Sequence, residues 1–315
     1  MNWKIKAAVQ NACAALPVFR EELYFSIQKT FGDPLNHPNP LDMVRAAADL
    51  AAVLNGAGHP IDGARVFEVG TGRRIDMPVG MFLAGAASTT TVDLHRYLRP
   101  ELVMASLQRI VKHRAKITEF FAKVTNSSDF EHRFDVLSGI SNFDELLAKT
   151  RIDYRAPADA ANTGLPSASF NLHISYTVFE HIPAAVLEAI LKESNRLLSP
   201  DGVALHHIDL SDHFAQEGAI TKINFLQYSS KQWASYADNQ FAYHNRLRPR
   251  DYRAIYEAAG QQIEQWSPSV DAVSLTTLKH GFPVHSDFRD LPPEELCTDM
   301  LRVLSCPVRA RAQVA

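Results

Sequence analysis

The stretch ARVFEVGTGRRIDMPVGMFLAGAASTTTVDLH, residues 64–95, decides the fold predicted for this chain. A short apolar run leads at once into Gly-Thr-Gly at 70–72, where glycine lets the backbone adopt φ > 0 or lets a ligand approach closely. Pro78 suits the first turn of a helix, and apolar residues continue from it. A second strand at 89–94 contains Asp93, whose carboxylate can accept hydrogen bonds from both hydroxyls of a ribose. The pattern predicts a strand–turn–helix–strand unit that binds a nucleoside.

The glycine turn lacks the spacing of a dinucleotide site, because Ile75 occupies the position of the third glycine in GxGxxG. An acidic residue, Glu68, stands two positions before the first glycine. The resulting E-x-G-x-G pattern, with a distant acidic residue, resembles motif I of the class I S-adenosylmethionine (SAM) methyltransferases. The resemblance implies SAM as the cofactor.

Further motifs of this family follow in order, so that the resemblance covers residues 65–210. They are a third strand at 152–155 followed by Asp159-Ala160, Leu165-Pro166 before a fourth strand that starts SFNLHIS, the stretch YTVFEHIP at 176–183, and a helix, an SPDG turn at 199–202 and a fifth strand. The fourth strand has Asn171 where the family commonly has aspartate, a position that is usually structural.

The resemblance implies which residues hold SAM. In the family, the acidic residue after the third strand accepts the adenine amino group, which points to Asp159. The full expected set is Glu68, Gly70, Thr71, Gly72, Asp93, Leu94, Asp159, Ala160, Ser175 and Tyr176. Arg73 and Arg74 replace the small residues usual after the glycines, and either pair with the methionine carboxylate of SAM or face solvent.

The end of the fifth strand carries HHIDLSDH at 206–213. Strand alternation places His207 and Asp209 on the same face. Three interpretations remain open for this stretch: a divalent metal site, a general base or substrate contact, or packing and capping alone. We take His207, Asp209 and Tyr176 as the catalytic candidates and assign no metal ligand.

The order of elements predicts an α/β fold, namely a Rossmann-like, seven-stranded, mostly parallel sheet with helices on both faces and an N-terminal helical cap. Residues 1–60 form the predicted cap, with helices at 16–31 and 41–54 that either cover the pocket or complete the core. Residues 61–315 form the SAM-binding domain, which has an aromatic-rich insertion at about 211–250 and its last strand pair at 262–266 and 300–305.

Bulk properties exclude several classes of protein. A net charge of −3 over 315 residues gives no attraction to nucleic acid or to an anionic membrane. No apolar run approaches the ~18–20 residues of a membrane span, and the N-terminal stretch is expected to form an amphipathic helix rather than a signal peptide. Cys13, Cys297 and Cys306 are far apart and odd in number, which favours reduced thiols and a cytoplasmic location. The oligomeric state is left open.

The leading functional hypothesis is a SAM-dependent methyltransferase that acts on a small molecule, in a bacterial biosynthetic pathway. An alternative keeps SAM and changes the reaction: the amine of SAM attacks its own chain, giving azetidine-2-carboxylate and methylthioadenosine. A second alternative is a non-catalytic SAM-binding module. The intact Glu68, Gly70, Gly72 and Asp93 argue against it, because a decayed site should have lost one of these residues.

Overall fold

The computed structural model describes residues 2–16, 39–217, 220–239 and 241–308. The helices are α1 (Trp3–Ala14), α2 (Pro40–Gly56), α3 (Asp76–Ala84), α4 (Pro100–Lys112), α5 (Arg114–Phe121), α6 (Ser127–Ser138), α7 (Phe143–Thr150), α8 (Ala184–Leu197), α9 (Ser230–Ala237), α10 (Pro249–Ala258), α11 (Ala272–Lys279) and α12 (Pro293–Leu296). The strands are β1 (Arg65–Val69), β2 (Ser88–Val92), β3 (Ile152–Arg155), β4 (Phe170–Tyr176), β5 (Leu198–Asp209), β6 (Gln261–Val270) and β7 (Thr298–Pro307). Of the helix predicted at 16–31, all but residue 16 lies outside the described residues.

The strands form one seven-stranded sheet in the order β3-β2-β1-β4-β5-β7-β6. Strands β1 to β5 pair in parallel, and β7 runs antiparallel to both β5 and β6. The predicted α/β fold with a mostly parallel sheet is therefore confirmed. Because β1, β2 and β4 are parallel neighbours, their carboxyl ends meet at one edge of the sheet, which is where open α/β sheets bind ligands.

One local prediction about the fifth strand is wrong. The SPDG segment at 199–202 is part of β5 and is not a separate turn before it. The pairing with β4 is irregular at this place: Phe170 pairs with Leu198, and the next pair is Leu172 with Val203. Between these two pairs β5 has more residues than β4, and the extra residues form an irregularity near the start of the pairing. The later residues of the two strands pair in register.

The two described N-terminal helices pack against different parts of the molecule. Helix α2 lies in the main core against α3, and the approach is so close that a Cβ on Gly80 would meet the Cβ of Ala47 at 2.3 Å. Helix α1 instead packs on the segment that follows β5, where the Trp3 ring lies 4.9 Å from that of Tyr236 and 5.3 Å from that of Phe214. Helix α2 therefore contributes to the main core beside α3.

A buried arginine joins the segment after β5 to the sheet. Arg248 is 1 % exposed, and its guanidinium donates to the backbone carbonyls of Leu210, Glu295, Leu296 and Thr298. Burial lowers the pKa of this side chain to about 10. The carbonyl dipoles solvate the charge, and the contacts connect the end of β5 to the start of β7.

The described residues contain no helix with the length and apolar character that a membrane crossing requires. Among the described residues, Cys13 and Cys297 are buried and Cys306 is half-buried.

Candidate functional site

A cleft of about 1120 Å³ opens at the carboxyl ends of β1, β2 and β4. Its wall comes from the loops after these strands, from α2 through Met43, and from the segment that follows α9. The predicted cofactor residues that line it are Glu68, Gly70, Thr71, Gly72, Asp93, Leu94, Asp159, Ala160 and Tyr176. The cleft therefore brings together residues from the first half and the second half of the motif series.

The glycine turn after β1 needs glycine for two separate reasons. Gly70 has φ = 94°, and a Cβ on it would lie 2.4 Å from a methyl carbon of Val178. Gly72 has φ = 66°, and nothing lies within 4 Å of where its Cβ would be. Gly70 thus lets the turn pack against the loop after β4, and Gly72 leaves open space for a ligand to approach the backbone.

Asp93 stands directly after β2 and faces the glycine turn. Its Oδ2 accepts a hydrogen bond from the Gly72 N–H at 2.9 Å, and its Oδ1 accepts one from the His95 N–H at 3.1 Å. Burial raises the pKa of this carboxyl, and the two backbone donors act against the rise. Each carboxylate oxygen has a second lone pair, so Asp93 can still accept hydrogen bonds from two hydroxyl groups in the cleft.

Glu68, the acidic residue of the E-x-G-x-G pattern, is 4 % exposed near the bottom of the cleft. Its Oε2 accepts a hydrogen bond from the hydroxyl of Thr91, which also contacts the hydroxyl of Thr71 at 2.6 Å. Burial raises the pKa of Glu68 to about 8, and the nearby Asp93 adds to the rise. Glu68 is thus mainly protonated at neutral pH and acts as a neutral hydrogen-bonding group.

This raised pKa predicts a pH dependence of stability. Folded Glu68 keeps its proton up to about pH 8, while the unfolded chain loses it near the ordinary value of 4.5. The native state therefore binds more protons between these two values, and the free energy of unfolding falls as the pH rises through the window, by at most about 1.4 kcal/mol per pH unit. Urea unfolding at several pH values should show this slope in the wild type and a smaller slope in Glu68→Gln. The exposed-site variant Glu188→Gln serves as the control, and an unchanged slope in Glu68→Gln would contradict the assignment.

Asp159 and Leu94 frame the far side of the cleft. The Asp159 carboxylate is exposed there, and its Oδ1 accepts a hydrogen bond from the Ala161 N–H at 2.8 Å, which fixes its direction. Leu94 is 63 % exposed, which is unusual for a leucine and leaves an apolar surface within the cleft. The Ala158 N–H donates to the carbonyl of Asp93 at 2.9 Å and ties the two loops together. An apolar surface next to a fixed acceptor suits a flat ring with an amino group.

The two arginines after the glycine turn both line the cleft. Arg74 pairs with the buried Asp76, with Nε 2.8 Å from Oδ2. The guanidinium of Arg73 lies 5.8 Å from the ring centre of Tyr97. Arg74 is thus committed to a structural pair, and the positive charge of Arg73 lies at the cleft beside Tyr97.

Tyr176, at the end of β4, lines the cleft and covers His207 of β5. The two residues are register partners, and their rings stack 4.6 Å apart at an angle of 9°. Burial, with carboxylates nearby, raises the pKa of the Tyr176 phenol, which therefore stays protonated. The next residue, Thr177, has φ = 52°, a strained conformation for a β-branched residue and one that tends to occur at functional sites.

The structure does not bring three of the predicted site residues into the cleft wall. Ser175 is fully buried and is not among the lining residues. His207 lies behind Tyr176, and Asp209 accepts hydrogen bonds from Ser211 outside the cleft lining. Their predicted roles stay predictions, and their positions do not favour direct contact with a ligand.

Several cleft residues are absent from the sequence-based set. They are Met43, Thr177, Val178, His181, Asp238, Asn239, Phe241 and Tyr243, together with apolar neighbours. The FEHI motif signalled the position of His181, although no role was assigned to it. The residues at 238–243 come from the segment after β5 and carry no motif that would place them at the cleft.

The arrangement fits SAM on its own geometry. The fixed acceptors Asp93 and Asp159 suit a ribose and an adenine amino group, the open space at Gly72 lets a ligand approach the backbone, and Arg73 suits a carboxylate. All of these residues line the same cleft.

Comparisons with known proteins agree with this fold. Residues 125–206 match the family model described as a methyltransferase domain. A search of curated protein sequences finds no match. Similar solved structures include a TehB-like SAM-dependent methyltransferase from Corynebacterium glutamicum (15% identity, 82% of this chain and 86% of that chain, TM-score 0.38), a putative methyltransferase from Listeria monocytogenes (13%, 83% and 96%, 0.42) and the [4+2]-cyclase SpnF (13%, 84% and 82%, 0.45).

The TM-scores of these structures are too low for the likeness to carry an argument about activity. The family match and the sheet order stand independently of them. Residues 125–206 are thus similar to a methyltransferase domain, and the strand order describes an α/β sheet of the kind that the sequence motifs predict.

Proposed function

We propose that the protein transfers the methyl group of SAM to a small molecule. The observation that carries the proposal is the cleft itself, which is lined jointly by the glycine turn, Asp93, Asp159 and Tyr176. Ligand pockets commonly measure about 300–1,000 Å³, and a cleft of about 1120 Å³ leaves room for an acceptor beside SAM. Bound SAM supplies a methyl group that is reactive toward nucleophiles.

The chain contributes chiefly position and environment to this reaction. Holding two reactants in line converts a bimolecular step into an effectively unimolecular one, which can lower the barrier by about 7–11 kcal/mol. Tyr176 is the predicted catalytic residue that reaches the cleft, and we propose that its neutral phenol orients the acceptor or the sulfonium. His207 stacks beneath it and is proposed as a positioning residue that acts through Tyr176.

The segment after α9 supports a small acceptor. Asp238, Asn239, Phe241 and Tyr243 border the cleft and narrow its open side. Asn239 is held by a hydrogen bond from its side-chain amide to Asn11 of α1 at 2.8 Å. A wall braced in this way suits a small molecule better than a polymer, and the slight negative charge of the chain gives no attraction to nucleic acid.

The test follows the fate of SAM. Purified protein is incubated with SAM, with and without a panel of small alcohols, phenols, amines and carboxylates, and the products are separated by liquid chromatography and mass spectrometry. We expect S-adenosylhomocysteine together with a methylated acceptor, and only when an acceptor is present. Methylthioadenosine formed from SAM alone would replace the proposal with the intramolecular reaction. Tight SAM binding without turnover across the panel would favour a binding module.

A further inference from the structure

Three side chains beside the cleft form a group with metal-ligand chemistry. Glu180 and His181 end the short helical turn Phe179–His181, and His213 begins the turn His213–Glu217 that follows β5. One potential ligand atom from each of the three lies within 4.8 Å of the others. The His181 and His213 rings face each other edge to face, with centroids 4.8 Å apart.

The buried groups of this cluster lack the partners that burial normally requires. Glu180 is 2 % exposed, and neither of its carboxylate oxygens has a hydrogen-bond partner within the described chain. His244 is 5 % exposed, its ring stacks on that of His213, and the described residues offer neither of its nitrogens a partner. Buried polar atoms are almost always satisfied, so the Glu180 carboxylate, with which no described side chain pairs and which lies beside His181 and His213, points to a ligand at this place.

The hydrogen bonds that are present prepare one of the histidines for coordination. Nδ1 of His181 lies 2.8 Å from the carbonyl oxygen of Tyr243. A carbonyl can only accept, so Nδ1 carries the proton, and the lone pair of Nε2 is left free. Fixing a histidine tautomer through such a second contact is usual for metal ligands. Asp209 places a second carboxylate nearby, with Oδ2 3.6 Å from Nε2 of His213.

We propose that Glu180, His181 and His213 bind one divalent transition-metal ion at the wall of the cleft. Two imidazoles and one carboxylate suit Zn²⁺, Fe²⁺ or Co²⁺ better than Mg²⁺, which prefers oxygen ligands. Ligands of a tetrahedral zinc ion lie about 2.0–2.2 Å from the metal, so the three atoms must draw together on the order of 1 Å. His213 and Asp209 are not part of the cleft lining, whereas His181 is exposed to the cleft, which leaves one side of the ion open toward it.

The side of the ion that is open toward the cleft also indicates the class of acceptor. This inference rests on the proposed function. A metal ion lowers the pKa of a bound hydroxyl and so makes it a better nucleophile. The preferred acceptor would therefore bear a hydroxyl or carboxylate oxygen that can bind the ion while its reacting atom faces the SAM site. The sequence leaves a divalent metal site open for residues 206–213, which include His213, but it assigns no ligand and does not connect this stretch with Glu180 and His181.

The test measures metal binding directly. Chelator-treated full-length protein is titrated with Zn²⁺ by calorimetry and with Co²⁺ by visible spectroscopy. We expect one ion per chain, and a Co²⁺ spectrum typical of nitrogen and oxygen ligands in a low-symmetry site. Loss of a direct ligand should weaken binding at least about tenfold, because even outer partners of metal ligands contribute 10–100-fold. The variants are His181→Ala, His213→Ala and Glu180→Gln, with the surface variant His280→Ala as the matched control.

Two results would overturn the metal site. One is a wild-type protein that takes up neither ion at one equivalent, and the other is affinity unchanged in both histidine variants. The Co²⁺ spectrum of the wild type decides the matter if a variant fails to fold. Calorimetry of S-adenosylhomocysteine in the same samples reports on the SAM site separately. If the protein binds S-adenosylhomocysteine but no metal, only the metal site is ruled out. If the wild type does not bind S-adenosylhomocysteine, the proposed function is ruled out.

Discussion

Replacing Asp93 with alanine is expected to lower the affinity for S-adenosylhomocysteine by about 10²–10⁴-fold. The carboxylate would accept both ribose hydroxyls, and hydrogen bonds to a charged group contribute about 1.5–3 kcal/mol each, with about 1.4 kcal/mol for each factor of ten. The substitution also removes Asp93 Oδ2, which lies 2.9 Å from the Gly72 nitrogen and accepts its hydrogen bond. The glycine turn therefore loses a contact that holds it in place. Isothermal titration calorimetry measures the effect.

The control for this variant is Asp153→Ala. Asp153 lies on the neighbouring strand β3, where its side chain is exposed and pairs with Arg155 outside the cleft lining. Asp153→Ala changes the charge of the protein by the same amount as Asp93→Ala. The affinity of this control variant for S-adenosylhomocysteine should equal that of the wild type. A Kd for Asp93→Ala within a few-fold of the control would remove Asp93 from the site.

Gly70→Ala is expected to lower the free energy of unfolding by about 2–5 kcal/mol. The left-handed backbone costs a non-glycine residue roughly 1–2 kcal/mol, and overpacking costs a further 1–3 kcal/mol. The second cost arises because the new methyl group would lie 2.4 Å from Val178. Urea unfolding followed by circular dichroism gives the value.

Gly58→Ala separates the two costs. Gly58 has φ = 85°, and nothing lies within 4 Å of its Cβ position, so this variant carries the backbone cost alone. The double variant Gly70→Ala/Val178→Ala should recover part of the loss. Equal destabilisation in Gly58→Ala and Gly70→Ala would show that Val178 does not press on the turn.

The part of the site that could be predicted from the sequence is the part built from local motifs. Glu68, the glycine turn and Asp93 lie within one strand–turn–helix–strand unit, and parallel pairing of β1 with β2 is enough to bring them together. The fold class followed from the same series of motifs. Asp159 was expected at the site only through the resemblance to the family, and it lines the cleft in a loop that follows β3, the neighbour of β2.

Ser175 illustrates a failure that strand geometry explains. Successive side chains of a strand point to opposite faces, so Ser175 and Tyr176 could not both line the cleft from within β4. Tyr176 faces the cleft and Ser175 is buried on the other side. For His207 and Asp209 the alternation was applied correctly, since both are half-buried between the buried neighbours of β5. The Tyr176 and His207 rings stack because β4 pairs with β5. The sequence of β5 alone does not show which strand lies beside it.

The remaining cleft residues depend on contacts distant in sequence. The segment that holds Asn239 and Phe241 is fixed by α1, through Asn11 to Asn239 and through the Gln10 side chain to the Phe241 carbonyl at 3.3 Å. These contacts span more than 220 positions, and no local periodicity predicts them. The same holds for the cluster around His213, which is formed from two loops on different strands.

The buried guanidinium of Arg248 has a consequence for how ligands enter. Its contacts with the carbonyl of Leu210, directly after β5, and with that of Thr298, the first residue of β7, fix the base of the segment after β5 to the sheet. A segment fixed at its base in this way cannot move away from the sheet as a rigid body. We therefore expect a ligand to enter the cleft through small side-chain movements, such as rotation of the exposed Leu94, while the backbone around Arg248 stays in place.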